Sequence, residues 1–146
     1  MHALSVFVTI AGFVIGLGAV TVIDLHGFLA RTSAYWTEAT IRTHKVTKPL
    51  IWAGIIIVMA GHVLMYAAGV IPLESLHRAL LIGVVLVVNG CFLSFVVSPR
   101  LVAEERDGRS RELVPASLQR RITASFVVSF AGWWSLVYLC AAGLAS

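Results

Sequence analysis

The sequence predicts an all-α integral membrane protein, a bundle of four helices that each cross the bilayer. Three observations carry this fold class. Of 146 residues, 59% are hydrophobic and only 12% are charged, against ~25% charged residues in an ordinary soluble domain. The charges are also unevenly spread. Residues 1–23, 49–73, 79–99 and 122–146 contain no Asp, Glu, Lys or Arg. Each run reaches the roughly 20 apolar residues with which an α-helix crosses a hydrocarbon core of ~30 Å. Four such runs cannot be buried helices of a small soluble protein, because no polar face remains. Residues 1–146 read as a single transmembrane domain with helices over about 3–30, 49–69, 76–98 and 119–144.

The first run lacks a positively charged start and exceeds the apolar stretch of a signal peptide, so it is expected to remain as a spanning helix. Gly12 and Gly16, with Gly18 beyond, give it a smooth face. Small residues at this spacing let helix backbones approach closely in lipid, within one chain or between two copies. The connection 31–48 carries Arg31, Arg42, Lys45 and Lys48. Within it, Ser33 is a candidate cap for a short helix through Ile41, and Tyr35 and Trp36 suit the headgroup level. This segment reads as a short interfacial helix. Pro49 falls in the first turn of the second span, where its missing N–H costs little.

Val70–Ser75 reads as a tight turn, which makes the second and third spans antiparallel neighbours. The connection 99–118 is the most polar part of the chain, with Arg100, Glu104, Glu105, Arg106, Asp107, Arg109 and Arg111, and Arg120 and Arg121 follow it. The basic residues thus gather in the first and third connections, which the positive-inside rule places in the cytoplasm. Both termini and the 70–75 turn are then expected on the outer side, and no appended soluble domain is expected. The net charge of +4 sits beside helix ends, where anionic lipid headgroups are the nearest partners, and is no nucleic-acid signature. Trp133 and Trp134, near mid-depth of the last span, read as packing residues. Cys91 and Cys140 lie within apolar runs without ligand-like spacing and read as free, buried thiols. No attachment motif for c-type haem, phosphate-binding glycine loop or serine triad occurs.

Ionisable residues inside a span are costly and are functional candidates by default. Here they are Asp24 and His26 in the first span and His62 in the second, with Asn89 as a polar residue in the third and His44 and His77 at helix boundaries. Depth sorts them. At ~1.5 Å of rise per residue, Asp24 and His26 lie in the inner leaflet and His62 in the outer. One site cannot hold both His26 and His62. An inner group contains Asp24, His26, His44 and Asn89; an outer group contains His62, Tyr66, Glu74 and His77. Each group offers two imidazoles from different segments, the donor set of a b-type haem. The cofactor-binding candidates are therefore His62, His77, His26 and His44, with no metal expected beyond a haem iron. Asp24, Asn89 and Tyr66 are structural polar candidates, and Gly12 and Gly16 are helix-packing candidates. The same histidines are also compatible with purely structural roles, bonding backbone carbonyls or lying at the interface.

Gly16–Asp24, Val88-Asn89-Gly90, Val97–Leu101 and Ser129–Ser135 together resemble a family of small four-helix bacterial membrane proteins, largely uncharacterised. That family is distantly similar to the CopD-like group, which includes HemJ-type haem-binding protoporphyrinogen oxidases. The resemblance implies a four-helix bundle in a bacterial membrane and adds weight to a haem b cofactor, for electron transfer or tetrapyrrole-linked redox chemistry. Relatives often carry a histidine early in the first helix, where this chain has Thr9; His62 lies at a similar depth. Asp24 and Asn89 match the pattern best, as a pair bridging the first and third helices. The competing expectation is a non-enzymatic structural or accessory subunit, joined to a larger membrane complex or to itself through the Gly12/Gly16 face. Proton or ion movement through Asp24 is the third, without matching charged groups in the other spans.

Overall fold

The long charge-free runs form helices because nothing in them competes with the i to i−4 ladder, and lipid offers the backbone no other partner. In the computed structural model, residues 1–108, 113 and 115–145 are described, with backbone only at Glu104 and Glu105. Arg109 and Arg111 lie outside the described residues. The elements are α1 (His2–Leu29), α2 (Ala34–Ala67), α3 (Leu73–Phe92), a π-helical turn (Leu93–Val97), α4 (Ser98–Arg106) and α5 (Ala116–Ala145). α3 runs through the π turn into α4 without a break, so the four membrane-length helices are His2–Leu29, Ala34–Ala67, Leu73–Ala103 and Ala116–Ala145. The chain is a multi-pass membrane protein. Its outer surface agrees: Val14, Leu81 and Phe95 are each more than two-thirds exposed, the apolar exterior that lipid solvates and water would not.

The second helix differs from expectation. Residues 34–48 are helical, but as the first part of one 34-residue helix with Pro49 in its interior. Ser33 occupies the N-cap position in an extended conformation and makes no side-chain cap bond. Pro49 removes one backbone donor, while its fixed φ remains compatible with a helix. The segment stays aligned with the span because it packs on the end of α1. Thr37 Oγ1 donates to the Ala30 carbonyl at 3.4 Å, and the Trp36 ring stacks on His26 at 5.2 Å.

The other end of α2 is closed by Gly69, whose φ of 70° is open to glycine at little cost. Val70 N donates to Met65 O and Gly69 N to Tyr66 O, the paired bonds of a Schellman cap. Pro72 then starts α3. The reversal spans 68–72, slightly before the expected turn.

α1 lies on α2, α2 on α3, α3 on α5, and α5 back on α1, closing a four-helix ring. Glycines on both helices let the α1 and α2 backbones approach closely along their seam. A methyl on Gly12 would stand 2.7 Å from Val58 N, and one on Gly61 would stand 2.8 Å from Thr9 Cα. Gly12 and Gly16 are therefore consumed within the chain, whereas Gly18 faces open space. The main core gathers Phe13, Val58, Met65, Leu86, Trp133 and Leu136 around the ring axis. Trp133 is buried at 1% exposure, whereas Trp134 is 49% exposed. A smaller core at the basic end joins Ile41, Val97, Leu101 and Leu118. Buried hydroxyls inside the helices bond the preceding turn: Thr40 to Trp36 O at 2.7 Å, Thr47 to Thr43 O at 3.1 Å. This local bonding removes the cost of placing threonine in an apolar interior.

Candidate functional site

The four candidate histidines occupy four different surroundings. His62 is 1% exposed in the main core. Its Nδ1 bonds the Val58 carbonyl at 2.9 Å, the Phe13 ring meets it edge-on at 6.3 Å, and its Nε2 is buried without a partner. His77 is exposed on α3, and Tyr66 is 42% exposed on α2. Glu74 pairs with Arg78 at 2.5 Å on the surface. The outer group thus has one buried member, His62, and three on the periphery. Tyr66 follows the fully buried Met65, so the helix turns it outward by about 100°.

At the basic end, His26 stacks on Trp36. His44 lies two helical turns beyond that tryptophan on α2. Asn89 turns away from both. Its Nδ2 donates to Ser125 O at 3.1 Å, and Ser125 Oγ donates to Asn89 Oδ1 at 2.6 Å. The expected Asp24–Asn89 bridge is therefore not formed; Asn89 ties α3 to α5. The partner choice follows from ring order, which puts α5 against α3.

Asp24 and His44 are the pair that the fold brings together. Both line a cavity of about 90 Å³ between the two cores. All four membrane-length helices contribute to its wall: Gly27 from α1, Lys48 and Trp52 from α2, Ser94 and Val97 from the π turn, and Phe126 from α5. Asp24 Oδ2 and His44 Nε2 are each shielded from solvent and lack a hydrogen-bond partner. A buried polar atom left unpaired costs ~1–3 kcal/mol, and such atoms call for an explanation in function. Other polar groups of the wall are bonded within the protein: Trp52 Nε1 donates to Ser94 Oγ at 3.3 Å, and Thr40 bonds within its own helix.

The cavity owes its space to backbone devices. The π turn interrupts regular packing, as such turns do at many functional sites, and three of its residues, Leu93, Ser94 and Val97, face the cavity. Gly90 lets the Trp52 indole lie close, since a methyl there would stand 3.3 Å from the ring. Neither feature has a sequence signature as direct as an intramembrane charge. Among the described residues, no group of three His, Cys, Asp or Glu side chains converges as a metal centre would require. Cys91 and Cys140 are free thiols, half-buried and buried.

Comparison with known proteins finds no matching family model, no matching curated protein and no matching solved structure.

Proposed function

We propose that the protein binds a small amphipathic molecule from the membrane in the cavity at its basic end. One observation carries the reading. An apolar cavity walled by all four membrane-length helices holds two buried, unpaired polar atoms, Asp24 Oδ2 and His44 Nε2. Mostly apolar walls with a few placed polar groups are the usual design of a small-molecule site. The polar atoms then fix a headgroup, and Ile23, Phe28, Ile51 and Leu93 receive an apolar body. In this reading the basic end faces the cytoplasm, both chain ends face outward, and the protein sits in a bacterial cytoplasmic membrane, following the clustered Lys and Arg. The chain acts as a binding protein or accessory subunit of a membrane complex. A partner does not use the Gly12/Gly16 face, which α2 already covers. Lipid extraction of the purified protein followed by mass spectrometry tests the reading. A stoichiometric molecule retained by the wild type and lost from Asp24→Leu supports it; equal retention by both excludes the cavity as the site.

A second reading, a b-type haem, rests on His62. The Nδ1 bond to Val58 leaves a bare Nε2, the arrangement of a metal-ligating imidazole held by its other nitrogen. Two findings place it second. His62 and His44, whose Nε2 atoms are both buried without a partner, are 18 positions apart on one helix, or about 27 Å. The cavity of about 90 Å³ is also far below the roughly 300–1,000 Å³ of larger ligand sites. The fit of the present donors to a bis-histidine haem is poor. A Soret band in protein expressed with ample haem, abolished by His62→Met, would reinstate it.

A further inference from the structure

We infer that a surface groove between α3 and α5, at the end of the bundle away from the basic connections, holds a phospholipid with a phosphoethanolamine head. The inference is independent of the cavity reading. Gly143 of α5 faces Ile71 and Gly132 faces Leu86, an antiparallel register that sets Tyr138 opposite Arg78. From that level the groove runs toward mid-depth. Ala131 and Ser135, one turn apart on α5, are too short to fill the space between the helices, and Leu81, Trp134 and Tyr138 border it. The groove measures about 600 Å³, within the roughly 300–1,000 Å³ of ligand sites. Leu81 and Tyr138 are each more than two-thirds exposed, so the groove is open toward the lipid.

An ion pair stands at its mouth. Arg78 lines the groove, and Glu74 bonds it at 2.5 Å, with both side chains exposed. Arg78 is the sole Lys or Arg between positions 49 and 99. The pair is weak, as exposed pairs four apart on a helix are. It is also unsaturated: a guanidinium has five N–H donors and a carboxylate two acceptor oxygens. Along α3 the acidic residue stands one turn nearer the helix start, and the basic residue deeper. A phosphoethanolamine lipid carries the complementary order, because its phosphate is joined to the glycerol and its amine to the free end. The phosphate accepts from Arg78, the ammonium donates to Glu74, and one acyl chain follows the groove past Leu81 and Trp134. Tyr138 then lies at the headgroup level, where its amphipathic ring is at home. A phosphocholine head has no N–H to give Glu74. A phosphoglycerol head brings only negative charge, which Glu74 repels. A cationic amphiphile meets Arg78 instead.

Native mass spectrometry of the full chain in detergent tests this, with dioleoyl phospholipids bearing phosphoethanolamine, phosphocholine or phosphoglycerol heads. The first is expected to bind about fivefold or more tightly than the other two. Glu74→Gln leaves the guanidinium alone and should move the preference to the phosphoglycerol lipid. Glu74→Arg with Arg78→Glu keeps an ion pair, inverts its order and should abolish the preference. Ser135→Trp fills the groove floor, leaves both charges in place and should weaken all three lipids. All three positions are exposed, so the changes are read on folded protein. Equal binding of the three lipids by the wild type, or a preference for either other head, overturns the headgroup assignment. A phosphoethanolamine preference that survives the inverted pair or Ser135→Trp overturns the groove as its site. A preference lost with Asp24→Leu puts the lipid in the cavity and overturns the groove as well.

Discussion

Gly16 of α1 and Gly54 of α2 touch through their backbones, with no room for a methyl group between them. A Cβ on Gly16 would stand 3.0 Å from Gly54 Cα, and one on Gly54 would stand 2.6 Å from Gly16 N. Trp133 of α5 closes over the same point. Close backbone approach maximises van der Waals contact where lipid supplies no hydrophobic drive between helices.

Gly54→Val should therefore push α1 from α2 and destabilise the bundle by at least ~1–3 kcal/mol, the usual cost of overpacking. Gly18→Ala, on open space, should be neutral or stabilising by up to ~1 kcal/mol through helix propensity. Thermal unfolding in detergent, followed by circular dichroism, separates the two.

The reciprocal Asn89–Ser125 bonds should appear as coupling in a double-mutant cycle. Asn89→Ala, Ser125→Ala and the pair together are expected to give an interaction energy of ~0.5–2 kcal/mol, in the range for polar contacts between membrane helices. Part of the contact uses the Ser125 carbonyl, so Asn89→Ala should cost more than Ser125→Ala. Equal costs with no coupling would remove these bonds from the account of how α3 and α5 hold together.

Asp24→Leu should stabilise the ligand-free protein while ending cavity binding. It replaces a half-buried carboxyl, whose Oδ2 is shielded and unpaired, with an apolar group of similar size, recovering about 1–3 kcal/mol. A gain in unfolding temperature with loss of the molecule retained by the wild type is the expected outcome. Such a trade of stability for function is common at binding sites. A loss of stability would mean that Asp24 has a structural partner.

Topology is open to chemical labelling. In a Cys91→Ala/Cys140→Ala background, His77→Cys should react with a membrane-impermeant maleimide added to intact cells, and Asp107→Cys only after permeabilisation. The reverse pattern would invert the orientation taken from the basic connections.

The spans were legible because a charge-free run of bilayer length admits few other structures. Several features were not. Residues 34–48 read as a separate helix because Arg42, Lys45 and Lys48 break the hydropathy pattern and Pro49 resembles a start signal. Neither property prevents the backbone from continuing, and packing on the end of α1 decides the matter. Gly12 and Gly16 were visible as a small-residue face, but their partners Gly54 and Gly61 became meaningful only once α2 was known to lie against it. The sequence marks Asp24 and Asn89 as polar groups inside the spans and His44 as one at a helix boundary. Their partners were not readable, because a sequence gives depth along a helix and not the order of helices around a ring. The cavity is a defect of packing set by the π turn, and no residue type announces it.

The unbroken α2 has one more consequence. Its 34 residues extend about 51 Å at 1.5 Å each, against a hydrocarbon core of ~30 Å. Roughly 20 Å of the rod is surplus to the crossing. Its 34–48 part carries His44 on the cavity wall, while its far half is clamped to α1 at Gly54 and Gly61. A load applied to that mast acts on the cavity wall before it reaches the clamp, so whatever grips residues 34–42 from the water side holds a handle on the binding site.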